Sequence, residues 1–102
     1  MNELRFSLKL TFYKKGDMIY YSQLDIFHLL EKALRRSGLP LYFTKGFSPH
    51  VKISFPFALK LGIEGKVESI LYFIEEISES KLQQALGPEL PQGLDILKIE
   101  KI

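Results

Sequence analysis

Residues 45–52, with the sequence KGFSPHVK, contain the groups best suited to binding an anion. Gly46 permits a tight or positive-φ backbone. Cationic, hydroxyl and ring nitrogen groups come from Lys45, Ser48, His50 and Lys52. A glycine-containing loop flanked by cations is suited to cradle a phosphate or a carboxylate. Because the same residues are also ordinary turn chemistry, the loop is either an anion site or only a turn.

A polar helix face is the second group with functional potential. Asp25 and His28 lie at i,i+3, and three cations follow at Lys32, Arg35 and Arg36. In one interpretation Asp25 orients His28 and the cations contact phosphates. In the other, Asp25 caps the helix, the cations complement the helix dipole, and Glu31 pairs with Arg35 at i,i+4.

Aromatic residues near these cations form the third group, which consists of Tyr20, Tyr21, Tyr42, Phe43 and Phe47. Exposed beside Lys and Arg, such rings stack on nucleic-acid bases. Aromatic residues in strands also pack in cores, so this pattern leaves both interpretations open.

The sequence lacks the residues that several kinds of catalytic and metal site require. The chain has no Cys and two His, at positions 28 and 50. A disulfide framework, a thiolate zinc site and a cysteine nucleophile are therefore excluded. No nucleophile triad, paired-carboxylate site or phosphate-loop motif is present, so we expect no catalytic residue, metal or cofactor. An enzyme with Asp25 and His50 as acid and base is the weaker alternative, because no spacing argument places them together.

The composition is that of an ordinary globular protein, with 46% hydrophobic and 25% charged residues in 102. Residues 1–66 contain eleven Lys and Arg against five Asp and Glu, whereas residues 67–102 contain three against seven. This asymmetry favours a basic surface that meets an anionic partner, unless the two halves mix their charges in space. The first residues are charged and no long apolar run follows, so we expect a cytoplasmic protein without a membrane segment.

The first half of the chain predicts a strand and a helix. Residues 4–13 alternate between apolar and polar side chains, as a half-buried strand does, with Leu4 and Phe6 on the apolar face. Ser22 and Asp25 have the spacing of a capping box, and Gly38 followed by Pro40 is a typical helix end. These signals predict a helix at about 22–37, with an apolar stripe from Ile26 to Leu34.

The second half predicts the remaining elements. Short strands are expected at 39–44 and 51–55, with an edge segment at 57–61. A β-rich run at 66–76, a helix from about 78 to 86 and a strand at 94–102 follow. In the last strand, alternation puts Leu94, Ile96, Lys98 and Glu100 on one face.

The resulting order is β-α-β-β-(β)-α-β in one domain covering residues 1–102. It predicts an α+β, ferredoxin-like split βαβ sandwich with an antiparallel sheet and two helices on one face. In such a fold the loop before the third strand returns to the end of the sheet where the first helix begins. We therefore expect His50 within about 20 Å of Ser22 and Asp25, which is roughly one helix length.

The motifs also resemble those of the bacterial radical-SAM-linked domain of unknown function. The resemblance spans nearly the whole chain in order and spacing, through residues 21–25 (YSQLD), 34–40 (LRRSGLP), 45–50 (KGFSPH), 61–63 (LGI) and 90–94 (LPQGL). The positions of Asp25, Arg36, Gly46, Pro49, His50 and Glu68 match the family pattern.

Some positions depart from that pattern. The family usually has Asn where Ser48 stands and Asp where Leu71 stands. It also usually has Pro at Val51, Gly at Pro56 and Ser at Gly65. The resemblance implies a domain fused behind, or encoded beside, a radical-SAM protein, often near ribonuclease and ribosomal-protein genes. The chain lacks the cluster cysteines, so it is not the radical enzyme itself.

Together these observations favour a non-catalytic, substrate-binding accessory module, acting with a radical-SAM protein in trans and binding RNA. The ligand-binding candidates are Asp25, Arg35, Arg36, Lys45, Gly46, Ser48, His50 and Lys52. The alternative is a docking domain for the radical-SAM subunit that makes no contact with nucleic acid. Exposed strand edges of a ferredoxin-like sheet also favour pairing, including a homodimer through a sheet edge.

Overall fold

A computed structural model of the chain describes residues 5–102. This range contains four strands and two α-helices, in the order β1 (Phe6–Lys14), α1 (Gln23–Ser37), β2 (Ile53–Ser54), β3 (Gly65–Phe73), α2 (Glu79–Leu86) and β4 (Leu94–Lys101). Short 3-10 helices occupy Gly16–Tyr20 and Gly87–Glu89. Across residues 5–102, no helix combines the length and the apolar character that crossing a membrane requires.

The strands form one antiparallel sheet with the order β2-β3-β1-β4. The long strands β1 and β3 lie at its centre and pair from Phe6↔Phe73 to Lys14↔Gly65. β4 borders β1 on one side, and β2 borders β3 on the other. This order confirms the predicted α+β, ferredoxin-like arrangement.

One face of the sheet carries the core. Alternate residues of β1, namely Leu8, Leu10 and Phe12, are buried, and they belong to the same apolar cluster as Leu30 of α1 and Leu82 of α2. Burying each such side chain contributes about 1.5–3 kcal/mol relative to exposure. The opposite face, called the open face below, is formed on the two central strands by Ser7, Lys9, Thr11, Tyr13, Lys66, Glu68, Ile70 and Tyr72.

Helix α1 begins and ends as the sequence predicts. Ser22 Oγ accepts from Asp25 N–H at 3.2 Å, and Ser22 N–H donates to Asp25 Oδ2 at 3.1 Å, which completes the capping box. Gly38 ends the helix with φ of 77°, in the left-handed region that glycine adopts without a Cβ clash.

The short strands differ from the prediction. Within the expected strand 39–44, only Leu41 and Phe43 form isolated bridges, to Phe73 and Val51. β2 is reduced to two residues, and no strand forms at 57–61. Proline has no N–H to donate to a ladder, so residues 40, 49 and 56 interrupt the pairing on this edge of the sheet.

A β-bulge changes which side chains of β4 face the core. The register moves between Thr11↔Lys98 and Phe12↔Ile96, which leaves Leu97 as the extra residue. Ile96 and Ile99 therefore both pack against the core, and the strict alternation expected for this strand is wrong beyond Ile96.

The start of β1 is less buried than expected. Phe6 lies at the end of the sheet opposite Phe73 and is only half-buried, whereas Leu8 is buried. Leu4, which the alternation puts on the same apolar face, lies outside the described residues.

Candidate functional site

A buried carboxylate connects the loop at 45–50 to helix α1. Glu31 is 8% exposed, and its Oε2 accepts from Val51 N–H at 2.9 Å. The same oxygen lies 3.2 Å from His50 Nδ1 and 3.5 Å from Arg35 Nη2. The Arg35 contact confirms the predicted i,i+4 pair, whereas the contacts with the loop were not predicted. Glu31 follows Leu30 and precedes Leu34 by three residues, so it borders the apolar stripe of α1. This position was the sequence signal for the burial of Glu31.

The surroundings of Glu31 favour its charged form. Burial by itself would raise the pKa of Glu31, but the Val51 N–H and the His50 ring donate hydrogen bonds to it. The charges of His50 and Arg35 act in the same direction, and the pKa lies below its ordinary value. A carboxylate on Glu31 therefore holds the loop against the helix near neutral pH.

His50 is oriented by this carboxylate. Because an ionised carboxylate only accepts hydrogen bonds, Nδ1 carries the hydrogen toward Glu31, and Nε2 is left as the second ring nitrogen. Phe27 packs edge-on against the His50 ring, with centroids 6.1 Å apart. Glu31 and Phe27 lie within two turns of Asp25, about 9 Å of helix rise at most, so His50 lies on the predicted side of the domain.

An exposed aromatic and cationic surface surrounds His50. Arg35 lies over the Phe43 ring at 5.1 Å from its centroid. Phe47, at the tip of the loop after Gly46 (φ 126°), is fully exposed. We call Glu31, Arg35, Phe43, Phe47 and His50 the helix–loop cluster. Two further candidates, Lys45 and Ser48, are exposed on the same loop.

Lys52 belongs to a different surface. Its Nζ lies 5.2 Å from the centroid of Tyr72, on the open face. Arg5 lies over the same ring at 5.7 Å and over Tyr42 at 5.6 Å. Ser54 Oγ and Tyr72 Oη are 3.2 Å apart. We call Arg5, Tyr42, Lys52 and Tyr72 the sheet-face cluster.

The segment 41–52 links the two clusters. Tyr42 N–H donates to Tyr72 O, and Lys52 N–H donates to Tyr42 O, so these residues continue the edge of the sheet. Side chains alternate along such a segment. Tyr42 and Lys52 therefore contribute to the open face, whereas Phe43 and Val51 face the helix side.

Comparison with known proteins identifies the family. The model of the family described as "Uncharacterized protein conserved in bacteria (DUF2344)" matches residues 7–102. The chain belongs to DUF2344. No curated protein and no solved structure matches it significantly. The description of DUF2344 specifies no activity.

Two candidate residues of this DUF2344 protein make architectural contacts. Asp25 completes the helix cap described above. Arg36 Nε donates to Glu89 Oε2 at 2.9 Å and Arg36 Nη2 donates to Glu89 O at 2.9 Å, which ties α1 to the 3-10 helix before β4. The structure thus groups Arg35, Lys45, Gly46, Ser48 and His50 on one surface, puts Lys52 on the open face, and separates Asp25 and Arg36 from both.

The described part of the chain contains no cluster of metal-ligating side chains. Among residues 5–102, no group of three or more His, Asp or Glu side chains is arranged to hold a metal ion. Glu31 and His50 form a pair, and the carboxylate of Glu31 is occupied by the loop contacts.

Proposed function

We propose that this DUF2344 protein is a non-catalytic module that binds single-stranded RNA through the open face of its sheet. The observation that carries this proposal is the sheet-face cluster, where two cations lie over two tyrosines. Both rings are half-buried. Aromatic residues on the face of a four-stranded sheet form a platform for stacking unpaired bases. Cations beside the rings are suited to contact the phosphates that follow each base.

The charges on the open face support an anionic ligand. Lys9 pairs with Glu68 at 3.2 Å, and Lys98 pairs with Glu100 at 3.3 Å, so these charges largely cancel. Within residues 5–102, Arg5, Lys52 and Lys66 have no ion-pair partner. Unpaired cations beside rings attract a polyanion without the cost of breaking an existing salt bridge.

The helix–loop cluster extends the proposed surface around the edge of the sheet. Phe47 adds an exposed ring, and Arg35 and His50 add donors on the other side of segment 41–52. An RNA strand that crosses this edge would contact both clusters. The contacts of Glu31 with His50 and Val51 support this path, because they hold the end of the loop against α1.

The partner in this proposal is a radical-SAM protein, for which the module presents RNA in the cytoplasm. The resemblance of the motifs to the radical-SAM-linked domain supports this partner, and it is support by association. In this division of labour the radical enzyme supplies the chemistry. The DUF2344 module supplies affinity and orientation.

A titration of fluorescein-labelled single-stranded RNA, followed by anisotropy at several salt concentrations, tests the proposal. We expect salt-sensitive binding, with duplex RNA of the same sequence bound more weakly. Tyr72→Ala should weaken binding by about 1–3 kcal/mol, because a base can no longer stack on the ring. Arg5→Ala with Lys52→Ala should reduce the salt slope by about 0.7 for each phosphate that is no longer neutralised.

A matched control is Lys81→Ala, which removes an exposed cation on α2, away from the open face. It should leave both the affinity and the salt slope unchanged. Equal losses of RNA affinity in Lys81→Ala and in the open-face variants would mean that the net charge of the protein, rather than the open face, determines binding. Absence of salt-sensitive binding would reject the RNA function.

A second candidate function is docking on the radical-SAM subunit without RNA. Exposed apolar side chains favour it, because Tyr20, Leu24, Phe57 and Leu61 are each more than 60% exposed. Their segments are adjacent, since Gly62 N–H donates to Ile19 O at 2.6 Å. Such a patch is typical of an interaction surface. Co-purification that resists nuclease and salt but disappears in Leu24→Ser/Phe57→Ser would favour docking over RNA binding.

A further inference from the structure

Lys14 is a buried lysine that lies one residue beyond the predicted strand at 4–13. It is the last residue of β1, pairs with Gly65 and Leu94 across the sheet, and has the same parity as Leu10 and Phe12. Its side chain therefore points to the core side of the sheet, and the residue is 2% exposed. Lysine is rarely buried to this extent without a partner of opposite charge.

The ammonium group of Lys14 has one hydrogen-bond partner in the described chain. Nζ donates to the backbone carbonyl of Lys60 at 2.6 Å, whereas an ammonium carries three donors. No carboxylate within residues 5–102 forms an ion pair with it. Glu64 and Glu68 lie nearby but are bonded to Tyr13 Oη at 2.9 Å and Lys9 Nζ at 3.2 Å.

The electrostatics of Lys14 agree with a charge that lacks compensation. Burial lowers the pKa of Lys14, and no opposing effect from a neighbouring carboxylate accompanies it. A buried ammonium without a counter-ion is costly to maintain. An anion that reaches Nζ would remove that cost and use the remaining donors.

A cavity makes Lys14 accessible to such an anion. Its volume is about 460 Å³, within the range of sites for small molecules. Besides Lys14, its apolar walls come from Phe57, Leu59, Ile63 and Val67. Charged residues also line it, namely Lys60, Glu64, Lys66 and Glu68, but Lys14 is its one buried cation. The cavity lies outside both the helix–loop and the sheet-face clusters.

We propose that this cavity binds a small monocarboxylate with a short apolar chain. The carboxylate pairs with the Lys14 ammonium, and the chain packs against Leu59, Ile63 and Val67. A charge-assisted hydrogen bond from the buried Lys14 ammonium selects an acid over the corresponding alcohol. The cavity shares Lys66 and Glu68 with the open face, whereas Lys14 and the apolar walls are not part of the proposed RNA surface. Either function can therefore fail without the other.

The experiment compares hexanoate with 1-hexanol, which has the same chain without the charge. Amide chemical shifts of the full chain, recorded by NMR during titration, report the location and the affinity. We expect hexanoate to shift residues 57–67 in the unmodified protein and to bind at least about tenfold more tightly than hexanol. No shift with hexanoate at millimolar concentration, or shifts confined to the Tyr20 and Leu24 region, would overturn the proposal.

Lys14→Met retains most of the apolar stem and removes the charge. In this variant hexanoate should lose its advantage of about tenfold over hexanol, while hexanol binds as before. Lys60→Met, which removes an exposed cation on the rim of the same cavity and retains the carbonyl that accepts from Lys14, is the matched control and should retain the preference. Undiminished hexanoate binding to Lys14→Met would overturn the role of Lys14.

Lys14→Met will not fold if the hydrogen bond from Lys14 to the Lys60 carbonyl is essential for folding. In that case hexanoate binding is tested in the unmodified protein alone. Intermolecular NOEs from the hexanoate methyl group to Ile63 and Val67 are then required. Their absence at saturating hexanoate would reject the site without any variant.

Discussion

Truncation of Glu31 should destabilise this DUF2344 protein by an amount that depends mainly on one buried donor. In Glu31→Ala, the N–H of Val51, a residue that is 1% exposed, loses its acceptor at 2.9 Å. An unsatisfied buried donor costs about 1–3 kcal/mol. His50 and Arg35 are about half exposed, so their contacts with Glu31 add at most about 1 kcal/mol together.

The expected loss is therefore about 1–4 kcal/mol, to be compared with the 5–15 kcal/mol typical of a small domain. Urea denaturation followed by circular dichroism measures the loss. Hydrogen exchange at the Val51 amide shows whether the loop detaches before the domain unfolds. Lys32→Ala, an exposed change on the same helix, is the control and should alter stability by less than about 0.5 kcal/mol.

Glu31→Gln removes the charge of the side chain and retains its shape. An amide oxygen can still accept from Val51 N–H, so this variant should lose only about 1 kcal/mol. A loss below about 0.5 kcal/mol in Glu31→Ala would refute the assignment of Glu31 as the anchor of the loop. Equal losses in Glu31→Ala and Glu31→Gln would instead show that charge, rather than the buried donor, dominates.

Three further predictions concern pH, the core and the loop. The pKa of Glu31 in the folded state lies below its ordinary 4.5, so its stabilisation is present above that pH and is lost as the pH falls through the folded value. Acid titration of unfolding should therefore show a flatter curve for Glu31→Gln; identical curves would contradict this. Leu30→Ala should cost about 2–5 kcal/mol, and the half-buried Phe6→Ala about 2 kcal/mol, in urea denaturation. A loss under about 1 kcal/mol for Leu30→Ala would show that its packing is misassigned. Gly46→Val should distort the loop, because φ is 126° there, and should lower RNA affinity; normal binding would separate the loop from the site.

Much of the fold could be predicted because its signals are local. The capping box of Ser22 and Asp25 and the C-terminal Gly38 involve residues within one helix, so α1 was predicted to within one residue at its start. The alternation in β1 and the β-rich run of β3 identify the two long central strands for the same reason. The ferredoxin-like order then follows from the succession of elements.

The candidate site was predicted in part. The sequence indicated residues 45–52 and Arg35 as candidates in two separate groups, and the structure brings His50 and Arg35 to the same carboxylate, Glu31. Whether these residues bind a ligand stays a prediction. Lys52 could not be assigned to the open face before the irregular pairing of segment 41–52 was known, because a shift of one residue moves a side chain to the other face.

The sequence by itself determined the helix α1, the two central strands and the apolar stripes that pack them, because each depends on neighbours along the chain. Only the tertiary structure decided which polar residues are buried. Glu31 and Lys14 look like ordinary charged residues in the sequence, and their burial results from segments about 20 and 46 residues away. The bulge at Leu97 has the same origin, since a register is a property of two strands and is encoded in neither alone.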